Sequence, residues 1–257
     1  EMANKVGIVL QNPEMQIFSL TVFDDIAFGP SNLGVPREEI KKRVEYVLDA
    51  IELRELVNRS PNNLSGGEQQ LLAIAGILAM EPQVLAFDEP VSMLDPIGKE
   101  QVLKAMFGVV EQKNNLSIIT ESGADIEAVA EFVDHIVALD KGKIVANGPA
   151  EEVLKSDLMN EIGVGQPQVT ELFNKLEQEG YKFKNTPITL SSAVDILKKD
   201  LKDKGVKEVK RAVVRNETKR EFGPNIIEIK NLHHVYKNGT HALKGVSLEI
   251  PEGQIVG

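Results

Sequence analysis

One stretch constrains this chain more than any other: residues 64–95, LSGGEQQLLAIAGILAMEPQVLAFDEPVSMLD. Ser65 is a good helix cap, and the glycines behind it leave backbone N–H groups open at a helix start, an arrangement that suits an anion. Apolar residues at Leu71, Leu72, Ile74, Ala75, Ile77 and Leu78 predict a helix over 65–80 that is buried on most sides. VLAFD (84–88) is a continuous apolar run, the pattern of a parallel strand covered on both faces. It ends in Asp88 and Glu89, at the carboxyl edge where ligands of such sheets sit. A first acid there suits Mg²⁺ bound to phosphates, since Mg²⁺ takes only one or two protein carboxylates. A second acid can orient or deprotonate an attacking water. Taken alone, the acid pair reads more readily as solvated strand-end carboxylates. Order and spacing across the whole stretch make the difference.

The rest of the chain supplies the expected surroundings. KVGIVL (5–10) reads as a strand. Thr21 caps a helix over TVFDDIAFG, which Gly29-Pro30 is expected to stop. Ile40, Val44, Val47, Leu48 and Ile51 predict an amphipathic helix from Pro36. A helix around 99–112, the strand LSIIT (116–120), a helix over 125–133 and a hairpin turning at Lys141-Gly142 follow. Alternating strand and helix down to about 155 predicts a parallel α/β sheet with helices on both faces. Two helical stretches lie within 166–205, and the highly charged run 203–224 reads as a linker. Residues 226–257 form a new antiparallel β unit, with period-2 positions Ile227, Ile229, Val246, Leu248 and Ile250 and a turn at Asn238-Gly239.

Bulk properties exclude several classes. The formal charge of −10 argues against binding nucleic acid through broad phosphate neutralisation. The absence of cysteine excludes disulfides, thiolate catalysis and cysteine-ligated zinc. No uninterrupted apolar segment approaches the roughly 18 residues of a membrane span.

The constellation resembles the ATP-binding cassette family of transport ATPases. LSGGE at 64–68 resembles the family's signature motif, with Glu68 where glutamine is commoner. VLAFDE at 84–89 resembles Walker B with its catalytic glutamate, SMLD at 92–95 the D-loop, and Gln11 the Q-loop glutamine. QNPEMQIFSLTVFDDIAFGPSNLG is similar to the energy-coupling-factor or cobalt subgroup, which drives uptake of vitamins and transition metals. The resemblance runs through residues 5–155. It implies ATP and Mg²⁺ as cofactors, with Asp88 and Gln11 at the metal and Glu89 at the attacking water. Ser65, Gly66, Gly67 and Glu68 would contact the nucleotide of an opposing cassette, and Asp95 would couple the two sites. It further implies an integral membrane subunit contacted through 11–35, no nucleic acid, and a cytoplasmic place on the inner face of the cell membrane.

Residues 226–257 resemble the opening of a second cassette, with Tyr236 where an aromatic stacks on adenine. The expected organisation is therefore three parts. Residues 1–155 are the later two-thirds of a first cassette, 156–225 a helical and charged linker, and 226–257 the start of a second. No GxxxxGK[ST] occurs anywhere, so the loop that cradles the phosphates is missing. The chain is expected to be an internal piece of a tandem-cassette protein, inactive by itself. A second departure follows the strand 116–120. The family's γ-phosphate histidine is absent there, and the chain reads Thr120-Glu121-Ser122-Gly123-Ala124. Two other classes stay open: a soluble tandem cassette acting on ribosomes or nucleic acid, and a non-enzymatic piece that only binds partners.

Overall fold

The computed structural model describes residues 5–113, 116–123, 125–203, 222–236, 239, 241–254 and 256. The chain divides into two units, 1–206 and 207–257. The first begins with β1 (Val6–Val9), followed by α1 (Val22–Asn32), α2 (Arg37–Ala50) and α3 (Gly66–Leu78). Next come β2 (Val84–Asp88), α4 (Pro96–Lys113), β3 (Leu116–Thr120) and the single turn α5 (Ile126–Val129). A hairpin of β4 (His135–Asp140) and β5 (Lys143–Pro149) leads into α6 (Ala150–Lys155), α7 (Leu158–Glu161), α8 (Gln168–Gln178) and α9 (Leu190–Asp203). The second unit is one antiparallel hairpin, β6 (Asn225–Val235) and β7 (His241–Pro251).

β1, β2 and β3 form a parallel sheet in the order β1-β2-β3, with Val6 opposite Val84, Val84 opposite Leu116, and Asp88 opposite Thr120. Because side chains alternate along a strand, the two faces differ sharply. Val9, Leu85 and Phe87 are at most 1% exposed and join one core with Leu72, Ile74 and Leu78 of α3 and Val102, Leu103 and Met106 of α4. The other face carries Ile8, Leu116 and Ile118, which are 51%, 63% and 53% exposed. A parallel sheet is normally covered on both faces, and among the described residues this one is covered on one. Asp88 and Thr120 continue the bare face at its carboxyl edge.

Most elements fall where the residue pattern puts them, and two differ. α1 does not stop at Gly29-Pro30 but runs on to Asn32. Pro30 lies in the last turn, so its missing N–H forfeits a single helical bond. Gly29 is there for space, since a Cβ on it would stand 2.7 Å from Met80 Cγ and Sδ. α5 is shorter than the expected 125–133. The chain leaves the helix so that Phe132 can stack on Phe107, with ring centroids 4.5 Å apart and planes 4° from parallel.

The two hairpins follow their turn chemistry. Lys141 and Gly142 both have positive φ, 47° and 75°, as the primed turns of tight hairpins require. In the second unit the expected period-2 residues meet across the strands, Ile227 opposite Ile250 and Ile229 opposite Leu248. The expected linker 203–224 lies mostly outside the described residues, as does Asn238 of the expected turn.

Candidate functional site

The signature turn is built by its own side chains. Ser65 Oγ accepts the N–H of Glu68 at 3.3 Å, and Glu68 Oε2 accepts the N–H of Ser65 at 2.6 Å, closing a capping box on α3. The Glu68 carboxylate is thus spent on the cap. Gly66 and Gly67 occupy the first helical positions, whose N–H groups have no partner within a helix. A Cβ at Gly67 would meet nothing within 4 Å, and one at Gly66 would meet only Leu94 Cδ2, at 3.9 Å. The space around both glycines is therefore open, with Leu94 at its margin. Asp95 caps the following helix, its Oδ1 accepting from Ile97 N and Gly98 N at 3.0 Å each.

At the carboxyl edge of the sheet, five side chains converge. Gln11 Nε2 donates to Glu89 Oε2 at 2.9 Å and to Ser92 Oγ at 3.2 Å. Two residues 78 positions apart thereby meet at one point. Both partners of the Gln11 amide nitrogen are acceptors: Glu89 is a carboxylate, and the Ser92 hydroxyl already donates to Glu89 O. The amide is therefore oriented by its network, with Oε1 turned away from Glu89. Thr120 Oγ1 donates to Asp88 Oδ1 at 2.7 Å and accepts from Glu89 N at 3.2 Å. Glu89 has φ 41°, the left-handed region, and is followed by the buried Pro90. Such a conformation costs a non-glycine residue about 1–2 kcal/mol, and strain of this kind concentrates at working sites.

Gln11 reaches this point because Gln16 clamps the end of β1. Gln16 Nε2 donates to Ile8 O at 2.9 Å while its Oε1 accepts from Leu10 N at 2.7 Å. The loop beyond is pinned by Asp25, 7% exposed, whose Oδ1 accepts from Phe18 N and Ser19 N. That pinning presents an apolar surface. Met15, Phe18, Leu20 and Phe28 are 75%, 62%, 85% and 47% exposed, and Phe18 and Phe28 meet edge to face at 4.5 Å.

Where the γ-phosphate histidine is missing, Glu121 follows β3 and turns inward. Its Oε1 accepts the N–H groups of Ser122, Gly123 and Asp125. Among the described residues its Oε2 is buried with no hydrogen-bond partner, as is Oδ2 of Asp125, whose other oxygen pairs with Lys99 of α4. Burial pushes the Glu121 carboxyl above its usual range, and the Asp125 charge adds to that, against the three backbone donors. His135 bonds Asn147 at 2.6 Å on the exposed hairpin.

Tyr236 directly follows β6 in the second unit, 57% exposed, with its ring edge on His234 at 4.7 Å. Gln16, Ser92, Thr120 and the Glu121–Asp125–Lys99 cluster were missed from the sequence. Glu121 had a signal there, as a departure from the family's histidine after the strand, and Ser92 as part of the D-loop motif; Thr120 had none.

A family model described as ABC transporter matches residues 1–92. The energy-coupling factor transporter ATP-binding protein EcfA2 of Enterococcus faecalis is 41% identical over 203 residues, covering 78% of this chain and 70% of its own length. The chain belongs to the ATP-binding cassette family. EcfA1 of Caldanaerobacter subterraneus subsp. tengcongensis is 38% identical over 204 residues, covering 77% of this chain and 70% of the relative. An ABC transporter ATP-binding protein of the same organism is 38% identical over 260 residues, which is 100% of this chain but 44% of that protein. CbiO1 of Clostridium perfringens, part of the ABC transporter complex cbiONQ, superposes with a TM-score of 0.55 at 32% identity, covering 66% of this chain and 68% of its own. The chain is thus an energy-coupling-factor type cassette by likeness, with the parallel sheet, helices and antiparallel strand pairs that its sequence predicts, the helices covering one face of the sheet among the described residues.

Proposed function

We propose that the Gln11–Glu89–Thr120–Asp88 edge is the metal-and-water side of an ATP hydrolysis site in a tandem-cassette importer of a small solute such as a vitamin or metal ion. One observation carries the reading: a strand-end acid pair meets the amide of Gln11 at the end of a sheet face that nothing among the described residues covers.

The donor set fits Mg²⁺. Asp88 Oδ2 and Gln11 Oε1 carry no hydrogen bond among the described residues, and both are the hard oxygens that this ion prefers. Bound there, Mg²⁺ would neutralise charge on the transferring phosphoryl group. Glu89 then orients the attacking water and accepts its proton, with Gln11 fixing the carboxylate through Oε2. The phosphate loop itself comes from the same cassette upstream of residue 5, its helix lying on the bare sheet face. Ser65, Gly66 and Gly67 serve a nucleotide held by an opposing cassette, Glu68 contributes by fixing that turn, Asp95 fixes the loop between the sites, and Tyr236 stacks on the second cassette's adenine. Full-length alignment with a relative more than twice as long supports the tandem arrangement, with residues 1–155 and 226–257 in separate cassettes joined by 156–225.

Among the described residues no helix is long and apolar enough to cross a membrane. Docking on an integral subunit at the cytoplasmic face of the membrane is assigned to 11–35, where Phe18, Leu20 and Phe28 stand exposed. The test is Glu89→Gln in the full-length protein. ATP binding should persist while turnover falls on the order of 100-fold or more. Unchanged turnover would remove hydrolysis from this edge.

A further inference from the structure

We infer that Thr120 is a positioning residue for both acids, an assignment that rests on the hydrolysis reading of this edge. Its hydroxyl is the only side-chain group among the described residues that bonds both Asp88 and Glu89. As donor, Oγ1 holds Asp88 Oδ1 at 2.7 Å; as acceptor, it takes the Glu89 N–H at 3.2 Å. A hydroxyl can do both at once, having one proton and two lone pairs.

Each bond has a separate consequence. The bond to Oδ1 fixes the rotation of the Asp88 carboxylate and leaves the other oxygen free to face a cation. The bond from Glu89 N is the one that catches the chain where it leaves the β2–β3 ladder. Asp88 is opposite Thr120 in that ladder, and Glu89 immediately adopts φ 41°. A left-handed residue persists only where its surroundings over-determine it. Here three residues hold it: Thr120 on its amide, Ser92 on its carbonyl through Oγ at 3.1 Å and N–H at 3.2 Å, and Gln11 on its carboxylate. Thr120 is the member that also reaches Asp88, so it sets the spacing between the metal acid and the water-directing acid. Glu121 is turned away into its own loop, which leaves the Thr120 hydroxyl as the polar contribution of β3 to the edge.

The experiment compares wild type, Thr120→Val, Thr120→Ser and Glu89→Gln in the full-length protein. Valine keeps the shape and strand preference but removes the hydroxyl; serine restores it. Two readouts are taken. Amide exchange at Glu89, which needs no nucleotide, should quicken about tenfold in T120V, the equivalent of one net hydrogen bond, and return in T120S. ATP turnover should show kcat down on the order of 10- to 100-fold in T120V with KM unchanged, again restored by serine. Unaltered exchange at Glu89 in T120V overturns the assignment whatever the turnover. A serine variant as impaired as valine also overturns it, because the hydroxyl is then not the cause. If E89Q turns over like wild type, the hydrolysis reading has failed and exchange alone decides whether Thr120 holds the turn. If E89Q is blocked while T120V keeps wild-type kcat, the positioning role is refuted and the hydrolysis reading stands.

Discussion

Replacing Gly7 by alanine should destabilise the first unit and disconnect Gln11 from the site. Gly7 is buried in β1, opposite Leu85. A Cβ built on it would stand 2.3 Å from Ile77 Cγ2, 3.1 Å from Pro82 Cγ and 3.5 Å from Leu85 Cδ2. Carbon atoms in favourable contact lie about 3.5–4.0 Å apart, so the overlap with Ile77 exceeds an ångström. Ile77 cannot swing aside cheaply, because a β-branched side chain in a helix has essentially one χ1 rotamer. Pro82 closes the other side. Overpacking of this kind costs about 1–3 kcal/mol. The smaller entropy of the unfolded alanine chain returns about 0.5–1 kcal/mol. The net loss is about 1–2 kcal/mol, or roughly 2–8 °C in melting temperature for a unit of this size. Relief by moving β1 shifts Gln11, two residues beyond the strand, and breaks its 2.9 Å bond to Glu89. Thermal unfolding of wild type, G7A, I77A and the double variant forms the decisive cycle. In the I77A background the alanine should cost little, giving a coupling of about 1 kcal/mol or more. A neutral G7A, or an equal cost in both backgrounds, refutes the wedge.

Two further outcomes follow from the site. The raised Glu121 carboxyl favours the folded state when protonated, so its contribution is complete below the ordinary carboxylate range near 4.3. That contribution fades as pH climbs through the raised folded value. Glu121→Gln keeps an acceptor for the three backbone donors and does not titrate. Denaturation midpoints of the two proteins should therefore diverge in favour of the variant as pH rises through that window, and parallel curves would contradict the buried-carboxyl account. Ser65→Ala should lower stability by about 1 kcal/mol by removing the cap on Glu68 N. Ser65→Asp should keep the stability, since aspartate caps equally well, yet weaken ATP-dependent association of cassettes by placing a charge where a phosphate belongs. Equal association by S65D and wild type, measured by analytical ultracentrifugation with ATP, would separate this turn from the nucleotide.

How much of this was legible in the sequence depended on the range of the forces involved. The start of α3 could be read because its cap is local: Ser65 and Glu68 are three residues apart and satisfy each other. The strands could be read because burial on a parallel sheet demands unbroken apolar runs. Pro30 misled because its cost depends on place, and in a last turn it is small. The Gln11–Glu89 meeting was legible only through family likeness, since no local rule joins residues 78 apart. Thr120 was invisible for a different reason. Its importance lies in register, and a single strand sequence does not say which residue of its neighbour it faces. Glu121 was visible as a departure, but its inward turn depends on three backbone donors that exist only once the loop has folded.

The bare sheet face explains why the acids stand where they do. Val6, Val84 and Leu116 form one row across the sheet; Ile8, Ala86 and Ile118 form the next. One step further along the same alternation the row becomes Asp88 and Thr120, so the face changes from apolar to polar at its carboxyl edge. A helix that follows a parallel strand and packs back on its sheet runs antiparallel to the strands, so its N-terminus lies over that edge. On the hydrolysis reading proposed above, the apolar rows would bury such a helix, while its open N–H groups and positive dipole end would stand beside Asp88. A phosphate held by such an end would face a carboxylate at close range, two like charges that repel. The arrangement is favourable only with a cation between them, which is the reason a strand-end acid and a phosphate-binding helix imply a metal together when neither implies it alone.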